Sequence, residues 1–217
     1  MSDRAARFDD AYRENPDPWC FATSPYEQAK YQKTIESLPR DRYRAAIEVG
    51  CSIGELSRLL AERCDNVIGI DVSAVAVEEA RTRNASNKNI SFLQCEVPSH
   101  WPDVEADLIV LSEVLYYLTR AEIEALAGCI SRKSAAGFDC ILINYLGNTG
   151  ETLQGFEAAK LFKRALMARV PSLQHSCLRG SRLKWALIRN IPWLRRSGFS
   201  GAGYRIDVLS ASSNSAV

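Results

Sequence analysis

Short apolar runs alternate along the chain with segments whose apolar residues recur at helical spacing. The runs are continuous, as in parallel strands that are buried on both faces of a sheet. Strands that alternate with helices predict βαβ units and a parallel sheet. The predicted strands are AAIEVG, NVIGIDV, ISFLQCEV, ADLIVLSEV and FDCILINYL, and the helices among them are GELSRLLAERC, SAVAVEEARTRNA and RAEIEALAGCIS.

The N-terminal part of the chain departs from this repeat. Residues 1–43 are predicted to form a helical cap, which X-Pro steps at Pro16 and Pro18 interrupt. Ser24 and Pro25 provide an N-cap and a first turn for a second helix. This cap lies ahead of the first strand and is expected to act as a lid.

The C-terminal part also differs from the repeat. A long helix is predicted over roughly 152–170, followed by two strands that form an antiparallel pair, SLQHSCLRG and GYRIDVLSA. We therefore expect an α/β fold with a single doubly wound, mostly parallel sheet over 44–210. The polar tail 211–217 is expected to be disordered.

Composition narrows the class of protein. The polar N-terminus is not a secretory signal, and no apolar run is as long as a membrane-spanning helix, so a cytoplasmic protein is expected. Seven cysteines without a C-x-x-C pair, together with two histidines, disfavour a zinc site. No metal is therefore expected.

The net charge of +1 conceals an uneven distribution, because residues 158–206 contain eleven Lys or Arg and no acid. The basic segment 179–196 is compatible with a helix on an anionic membrane surface or with a cover for an acidic substrate. We favour a solvated basic face over membrane association. A net charge close to zero is not typical of a nucleic-acid-binding protein, which usually presents a broad basic surface.

The loop after the first strand reads GCSIGE, from Gly50 to Glu55. The dinucleotide fingerprint G-x-G-x-x-G would need glycine where Ser52 stands, and Glu55 would oppose a pyrophosphate at the helix N-terminus. S-adenosylmethionine carries a sulfonium, an ammonium and one carboxylate, but no phosphate. We expect Gly50 and Gly54, with Cys51 between them, to lie against its methionine portion.

Acidic residues at the ends of the first three strands fit the same ligand. Glu48 would place an anion near a cationic ligand. Asp71, 21 residues after the first loop glycine, is expected to bind the two ribose hydroxyls, with Val72 beside it. Glu96 is expected to accept the adenine amino group, and Val97 to pack on the ring. Together these residues predict a class I methyltransferase.

The chain at this point resembles the S-adenosylmethionine-dependent methyltransferases, and within them the nodulation protein S family. The resemblance covers about residues 10–147 and returns in YRIDVL, whereas about 179–203 departs from the family. It implies an N-methyltransferase that acts on the free amine at the non-reducing end of a deacetylated chitooligosaccharide, a Nod-factor precursor. S-adenosylhomocysteine would be the product. The matching stretches are DPWCFATSPYEQAKY, EVGCSIGELSRLLAERCD and DLIVLSEVLYYL.

Candidate catalytic residues follow the fourth strand. An acceptor amine must present a lone pair, and a carboxylate or phenol suffices to orient it and take its proton. Glu113 is predicted to do so, and Tyr116 or Tyr117, on the same face of a helical turn, to form a substrate wall. Ser112 is assigned to the cofactor edge and Asn144, at the mouth of the fifth strand, to the substrate.

The cap contributes aromatic candidates. Trp19 and Tyr26 are assigned to substrate binding because an aromatic ring stacks on a sugar face, and Trp19 would form part of a lid. Either Lys30 or Tyr31 is expected to reach the cofactor carboxylate. The alternative for each ring is an amphipathic helix that packs its aromatic stripe on the sheet, which we favour for Tyr26.

Two other function classes stay open. An O- or N-methyltransferase of a small metabolite comes second. An O-methyltransferase usually needs a histidine or a metal to activate the hydroxyl, and His100 is poorly placed for this. A binding protein that keeps the fold without turnover comes third, and Gly50, Gly54 and Asp71 argue against it. The sequence leaves the oligomeric state open.

Overall fold

A computed structural model describes residues 2–179 and 203–211, which include a seven-stranded sheet with helices on both faces. In chain order the elements are α1 (Asp3–Glu14), α2 (Pro25–Glu36), β1 (Tyr43–Val49), α3 (Glu55–Leu60), β2 (Cys64–Asp71), α4 (Ala74–Arg83), β3 (Ile90–Gln94), β4 (Ala106–Ser112), a 3₁₀ turn (Leu115–Tyr117), α5 (Arg120–Lys133), β5 (Ser134–Tyr145), α6 (Gly155–Met167), β6 (Leu173–Arg179) and β7 (Tyr204–Ala211).

The strand order is β3-β2-β1-β4-β5-β7-β6. Strands β1 to β5 are parallel, and β7 runs antiparallel to both β5 and β6. This arrangement confirms the predicted fold class, a doubly wound and mostly parallel sheet with an antiparallel C-terminal pair. The chain order reverses between β1 and β4, and an open α/β sheet binds its ligand at the carboxyl ends of the strands at such a point.

The central strand β4 explains the continuous apolar runs. Its residues Ile109 and Leu111 pack into the core beneath α5 and α6. Leu108 and Val110 point to the opposite face, toward α2 and α3. Because helices cover both faces of the sheet, the residues in the middle of β4 are apolar on both sides.

The two N-terminal helices begin as the sequence predicts. The Ser24 hydroxyl caps α2 and Pro25 occupies its first turn. Helix α1 is fixed to the start of α4 by Asp9, whose carboxylate accepts hydrogen bonds from the Ser73 hydroxyl at 2.6 Å and the Val75 amide at 3.3 Å. The cap is therefore joined to the sheet layer by a buried polar contact.

Helix ends differ from the sequence-based expectation. Helix α3 ends at Leu60, earlier than predicted, and Cys64 opens β2. Helix α6 ends at Met167, in advance of Val170, which precedes a proline and is disfavoured in a helix. Tyr43, assigned to the cap, is the first residue of β1.

Two predictions concern residues that the structure describes only in part. Apart from Arg179, the basic segment 179–196 lies outside the described residues, as does the tail beyond Ala211. In the ranges 2–179 and 203–211, no helix is both long and apolar enough to cross a membrane.

The amino ends of the strands are held by a polar cluster far from the predicted site. The Tyr43 hydroxyl donates to Asp139 Oδ2 at 2.8 Å, and Arg40 Nε lies 3.0 Å from the same oxygen. Asp139 is buried. This cluster connects β1 to β5 across the intervening β4.

We expect Tyr43→Phe to lower the free energy of unfolding by about 1–2 kcal/mol, because a buried carboxylate loses one of its hydrogen bonds. Urea unfolding measures the change. Affinity for S-adenosylhomocysteine should stay the same, since the cluster lies at the opposite end of the strands. An unchanged unfolding midpoint would contradict the assigned role.

Candidate active site

A cavity of about 600 Å³ opens where the strand order reverses, at the carboxyl ends of β1 and β4. Its volume lies within the range of about 300–1,000 Å³ that is typical of small-molecule sites. Helices α1 and α2 and the loop between them contribute one wall. The sequence-predicted residues that line it are Trp19, Tyr26, Gly50, Asp71, Val72, Glu96, Val97, Ser112, Glu113, Tyr116 and Tyr117.

The glycine loop is shaped by close packing. Gly50 has φ +80°, and a Cβ at this position would lie 2.7 Å from the Ser112 carbonyl oxygen. Gly54 has φ +83°, and its Cβ would lie 2.8 Å from the Phe92 ring. Gly50 lines the cavity, but Gly54 does not. Gly54 therefore serves the packing of the loop against β3, and its contact with a methionine portion stays a prediction.

Ser52 takes the place of the second fingerprint glycine without loosening the loop. It adopts φ +49°, and its hydroxyl is hydrogen-bonded to the Tyr12 hydroxyl of α1. Its amide donates to Asp71 Oδ2 at 3.0 Å. The serine therefore connects the loop to the cap and to β2.

Asp71 ends β2 at the cavity with both carboxylate oxygens directed by backbone amides. Oδ2 accepts from Ser52, and Oδ1 accepts from the Ser73 amide at 2.9 Å. Burial raises the pKa of Asp71, and the amides of Ser73 and Ser52 oppose this shift. Each oxygen keeps a lone pair for a further donor, as a pair of ribose hydroxyls requires.

Glu96 lies at the cavity edge and contacts the cap. Its Oε1 accepts from the Ser2 hydroxyl at 2.7 Å and lies 3.5 Å from Arg4 Nη1. Arg4 also binds both oxygens of Glu122 at 3.0 Å. Glu96 thus faces the cavity with an acceptor group while it fixes the start of α1.

A separate space of about 30 Å³ lies behind the loop and is lined by Tyr31, Glu48 and Cys51. These three residues do not line the large cavity. Glu48 is 1% exposed and accepts a hydrogen bond from the Ser57 hydroxyl. Burial raises the pKa of Glu48 to about 8. The structure therefore places Glu48 as a neutral, buried acid near pH 7, and not as an exposed anion.

Glu113 stands at the other end of the large cavity, directly after β4. It adopts φ +57°, and its amide donates to the Ile143 carbonyl at 3.0 Å. Its Oε1 accepts from Lys30 Nζ at 2.6 Å, and Oε2 accepts from the Tyr116 hydroxyl at 3.4 Å. Glu113 and Tyr116 are therefore brought together, as their spacing predicts, although the turn between them is 3₁₀ and not α-helical.

Lys30 does not line the large cavity. It is 2% exposed and pairs with Glu113 and with Glu27, whose Oε2 lies 2.6 Å away. Burial by itself would lower the pKa of Lys30, but Glu113 and Glu27 outweigh it and raise the pKa. The lysine is committed to these carboxylates.

An aromatic group closes the cavity on the side of the cap. The ring centroid of Trp19 lies 5.5 Å from that of Tyr12, 5.7 Å from that of Phe21 and 6.1 Å from that of Phe8. Trp19 remains 43% exposed, so a broad ring face is available at the opening. Phe8 also meets Tyr117 edge to face at 5.0 Å.

Asn144 is not brought to the cavity. Its side chain is fully buried, and among the described residues its amide atoms find no hydrogen-bond partner. Its neighbour Tyr145 lines the cavity instead. Successive strand residues point to opposite faces, so Tyr145 and not Asn144 faces the cavity. The assignment of Asn144 to the substrate stays a prediction without a cavity contact to support it.

Sequence reasoning missed several cavity residues. Arg4, Phe8 and Tyr12 all line the cavity and stand four residues apart on α1. That spacing puts them on one helix face and could have identified them. Glu27 also lines the cavity, and its only sequence signal is its position one turn before Lys30.

Within the described ranges, no group of three or more His, Cys, Asp or Glu side chains could hold a metal ion. The arrangement offers hydrogen-bond acceptors for a ribose at one end and a carboxylate bound by a buried lysine at the other. Aromatic rings lie beside the opening. A nucleoside-bearing ligand and a polar or cationic acceptor fit these two ends.

Comparison with known proteins identifies the family of this chain. A family model described as Nodulation protein S (NodS) matches residues 10–145. The chain belongs to this family. The match confirms the resemblance that the D-P-W segment, the glycine loop and the E-V-L-Y-Y-L stretch predict.

The matches to individual relatives cover about half of each protein. Nodulation protein S of Bradyrhizobium diazoefficiens is 38% identical over 103 residues, which are 47% of this chain and 49% of that protein. The Rhizobium tropici protein of the same name is 34% identical over 123 residues, which are 56% of this chain and 52% of that protein. The chain thus spans about half the length of the curated relatives that it matches.

A solved structure matches over nearly the whole fold. The N-methyltransferase NodS from Bradyrhizobium japonicum WM9, in complex with S-adenosyl-L-homocysteine, superposes with a TM-score of 0.76 at 18% identity. The superposition covers 96% of this chain and 99% of that one. At this identity the superposition establishes a shared fold.

We expect Glu48→Gln to remove a pH dependence of stability in the ligand-free protein. The folded pKa of about 8 exceeds the unfolded value of 4.5, so the wild type loses stability as the pH rises between them. The free energy of unfolding of the wild type, relative to the variant, should therefore fall by roughly 3–5 kcal/mol from pH 5 to pH 9.

Urea unfolding at several pH values measures this difference. Glu62→Gln, at an exposed glutamate after α3, is the matched control and should show no such trend. A pH-independent difference between the wild type and Glu48→Gln would contradict the assigned burial of the charge.

Proposed function

We propose that the protein is an S-adenosylmethionine-dependent N-methyltransferase that acts on the free amine of a glucosamine-type sugar. The acceptor we infer is a deacetylated chitooligosaccharide, methylated at its non-reducing end. One observation carries this proposal: a single cavity joins the Asp71 carboxylate to Glu113, which a buried lysine holds. Relatives that carry the name Nodulation protein S support the choice of acceptor.

The residues at the Asp71 end fit the nucleoside part of the donor. Asp71 has acceptor capacity for two hydroxyls, and Glu96 offers an oxygen near apolar Val97 and Val72. No cation other than Arg4 pairs with Glu96 in the described chain, and Asp71 has no ion pair there. When bound, S-adenosylmethionine would supply an electrophilic methyl group.

The residues at the Glu113 end fit an amine. The carboxylate of Glu113 can accept an N–H from the acceptor while Lys30 holds its other oxygen. A negative group at this point stabilises the positive charge that develops on the acceptor nitrogen during methylation. Tyr116 and Tyr117 flank the carboxylate, so the acceptor is confined as well as attracted.

The mouth of the cavity fits a sugar. Trp19 is exposed there, and an aromatic face stacks on the apolar face of a pyranose ring while water covers its edge. Fixing the sugar in this way would align its amine before the reaction and lower the entropic part of the barrier.

We expect methyl-labelled S-adenosylmethionine to transfer label to a chitooligosaccharide with a free non-reducing terminal amine. The fully acetylated oligosaccharide of the same length is the control, because its nitrogen lone pairs are delocalised into amides. Mass spectrometry of the product locates the methyl group. Label in neither sugar would contradict the proposed acceptor, and label on the acetylated sugar would indicate O-methylation.

We expect Asp71→Asn to weaken binding of S-adenosylhomocysteine by roughly 10- to 150-fold, since a hydrogen bond to a charged group contributes about 1.5–3 kcal/mol. Calorimetry on the folded variant measures the affinity. Asp65→Asn, at the exposed start of the same strand, is the control and should leave the affinity unchanged. Equal affinities for both variants would remove Asp71 from the cofactor site.

A further inference from the structure

Helix α2 places a second carboxylate, that of Glu27, at the cavity end where Glu113 lies. Both residues line the cavity, and Glu27 is 7% exposed. Lys30, one helical turn further on, lies 2.6 Å from an oxygen of each carboxylate. Lys30 itself does not line the cavity. The acceptor end therefore presents two carboxylates with one ammonium behind them.

The charge on this cluster is not balanced when both acids are ionised. Among the residues that the structure describes, Lys30 is the only cation within ion-pair distance of Glu27 or Glu113. Two carboxylates and one ammonium leave one negative charge. A site with this excess attracts a cation, and an amine in its ammonium form is such a ligand.

The other titratable groups that face the cluster add no charge near neutral pH. Burial raises the pKa of every phenol among them, and it raises the pKa of Glu48 to about 8. These groups are Tyr26 and Tyr31 on α2, Tyr116 and Tyr117 after β4, Tyr204 on β7 and Glu48 on β1. The two carboxylates and the lysine thus determine the charge.

The two carboxylates are held differently. Glu113 accepts hydrogen bonds from Lys30 and Tyr116, which fix its orientation. Glu27 pairs with Lys30 and is hydrogen-bonded to the Tyr31 hydroxyl, but its side chain is only 9% exposed, against 21% for that of Glu113. Deeper burial favours the neutral form of a carboxyl group. Burial raises the pKa of Glu27 against the attraction of Lys30. Of the two acids, Glu27 is better suited to take up a proton.

We propose that Glu27 is the base that receives the proton of the acceptor amine, while Glu113 orients that amine. This assignment rests on the proposed amine acceptor. An N–H bond of the bound ammonium breaks, an O–H bond forms on Glu27, and the electron pair remains on nitrogen as the lone pair that methylation requires. The cluster then has no excess charge, because Lys30 and Glu113 balance each other.

The variant Glu27→Gln tests this assignment in the full chain. It leaves Lys30 paired with Glu113, so no buried charge is left uncompensated, and the fold should be kept. Unchanged affinity for S-adenosylhomocysteine, measured by calorimetry, verifies the fold and the cofactor site independently of turnover. The readout is kcat as a function of pH with the terminally deacetylated chitooligosaccharide.

We expect kcat of Glu27→Gln to fall by roughly 10²–10⁴-fold at pH 7, the usual contribution of a positioned base. The loss should shrink as the pH rises and the amine reaches the site already deprotonated. Glu27→Asp, which keeps a carboxylate, should restore part of the activity at low pH. Glu36→Gln, at an exposed glutamate of the same helix that pairs with Lys33, should behave as the wild type.

Two results would overturn the assignment: a kcat of Glu27→Gln close to that of the wild type, or a loss that is the same at every pH. Either would show that Glu27 serves packing or binding alone. Failure of the wild type to methylate the amine would instead overturn the proposed function. The wild-type measurement therefore separates the two failures.

Discussion

The close approach of Gly50 to the carbonyl oxygen of Ser112 is the contact on which the rest of the site depends. Strands β1 and β4 are neighbours at the point where the chain order reverses, so the loop after β1 must turn away beside the end of β4. A side chain at Gly50 would meet that carbonyl at 2.7 Å. With the loop in this position, the Ser52 amide reaches Asp71 and the cavity opens between the two strand ends.

The sheet could be predicted because each buried strand is marked by a short apolar run in the local sequence. Strands β1, β2 and β4 each contain a short run of buried apolar residues because helices cover both faces of the sheet, and these short runs alternate with helical patterns. The sequence predicts the ends of α3 and α6 less accurately than it predicts the strands. The stretch from Ala61 to Cys64 suits a helix or a strand, and only its pairing with β1 makes Cys64 part of β2.

The site residues also fall into two groups, those that local sequence signals predict and those that only tertiary packing brings to the cavity. Asp71 and Glu113 follow strand ends, and the fold class alone brings strand ends to one edge of a sheet. Tyr12 and Glu27 reach the cavity only through the packing of α1 and α2 across that edge, where Tyr12 meets Ser52 and Glu27 shares Lys30 with Glu113. The four-residue spacing that includes Tyr12 marks one face of α1, but nothing local in the sequence shows that this face or Glu27 covers the cavity.

A second buried ion cluster in the same fold shows why the charge balance beside Glu113 matters. On β7, burial alone would raise the pKa of Asp207, but Arg205, Lys163 and His175 surround it and bring the pKa to about 2. Its ion pairs with Arg205 and Lys163 keep the pKa of Asp207 low, which suits a structural role. Glu27 shares a single lysine with another carboxylate, and burial raises its pKa. Buried ion pairs are often no more stabilising than apolar side chains of similar volume, so the position of this cluster at the cavity fits the proposed binding of a cationic acceptor.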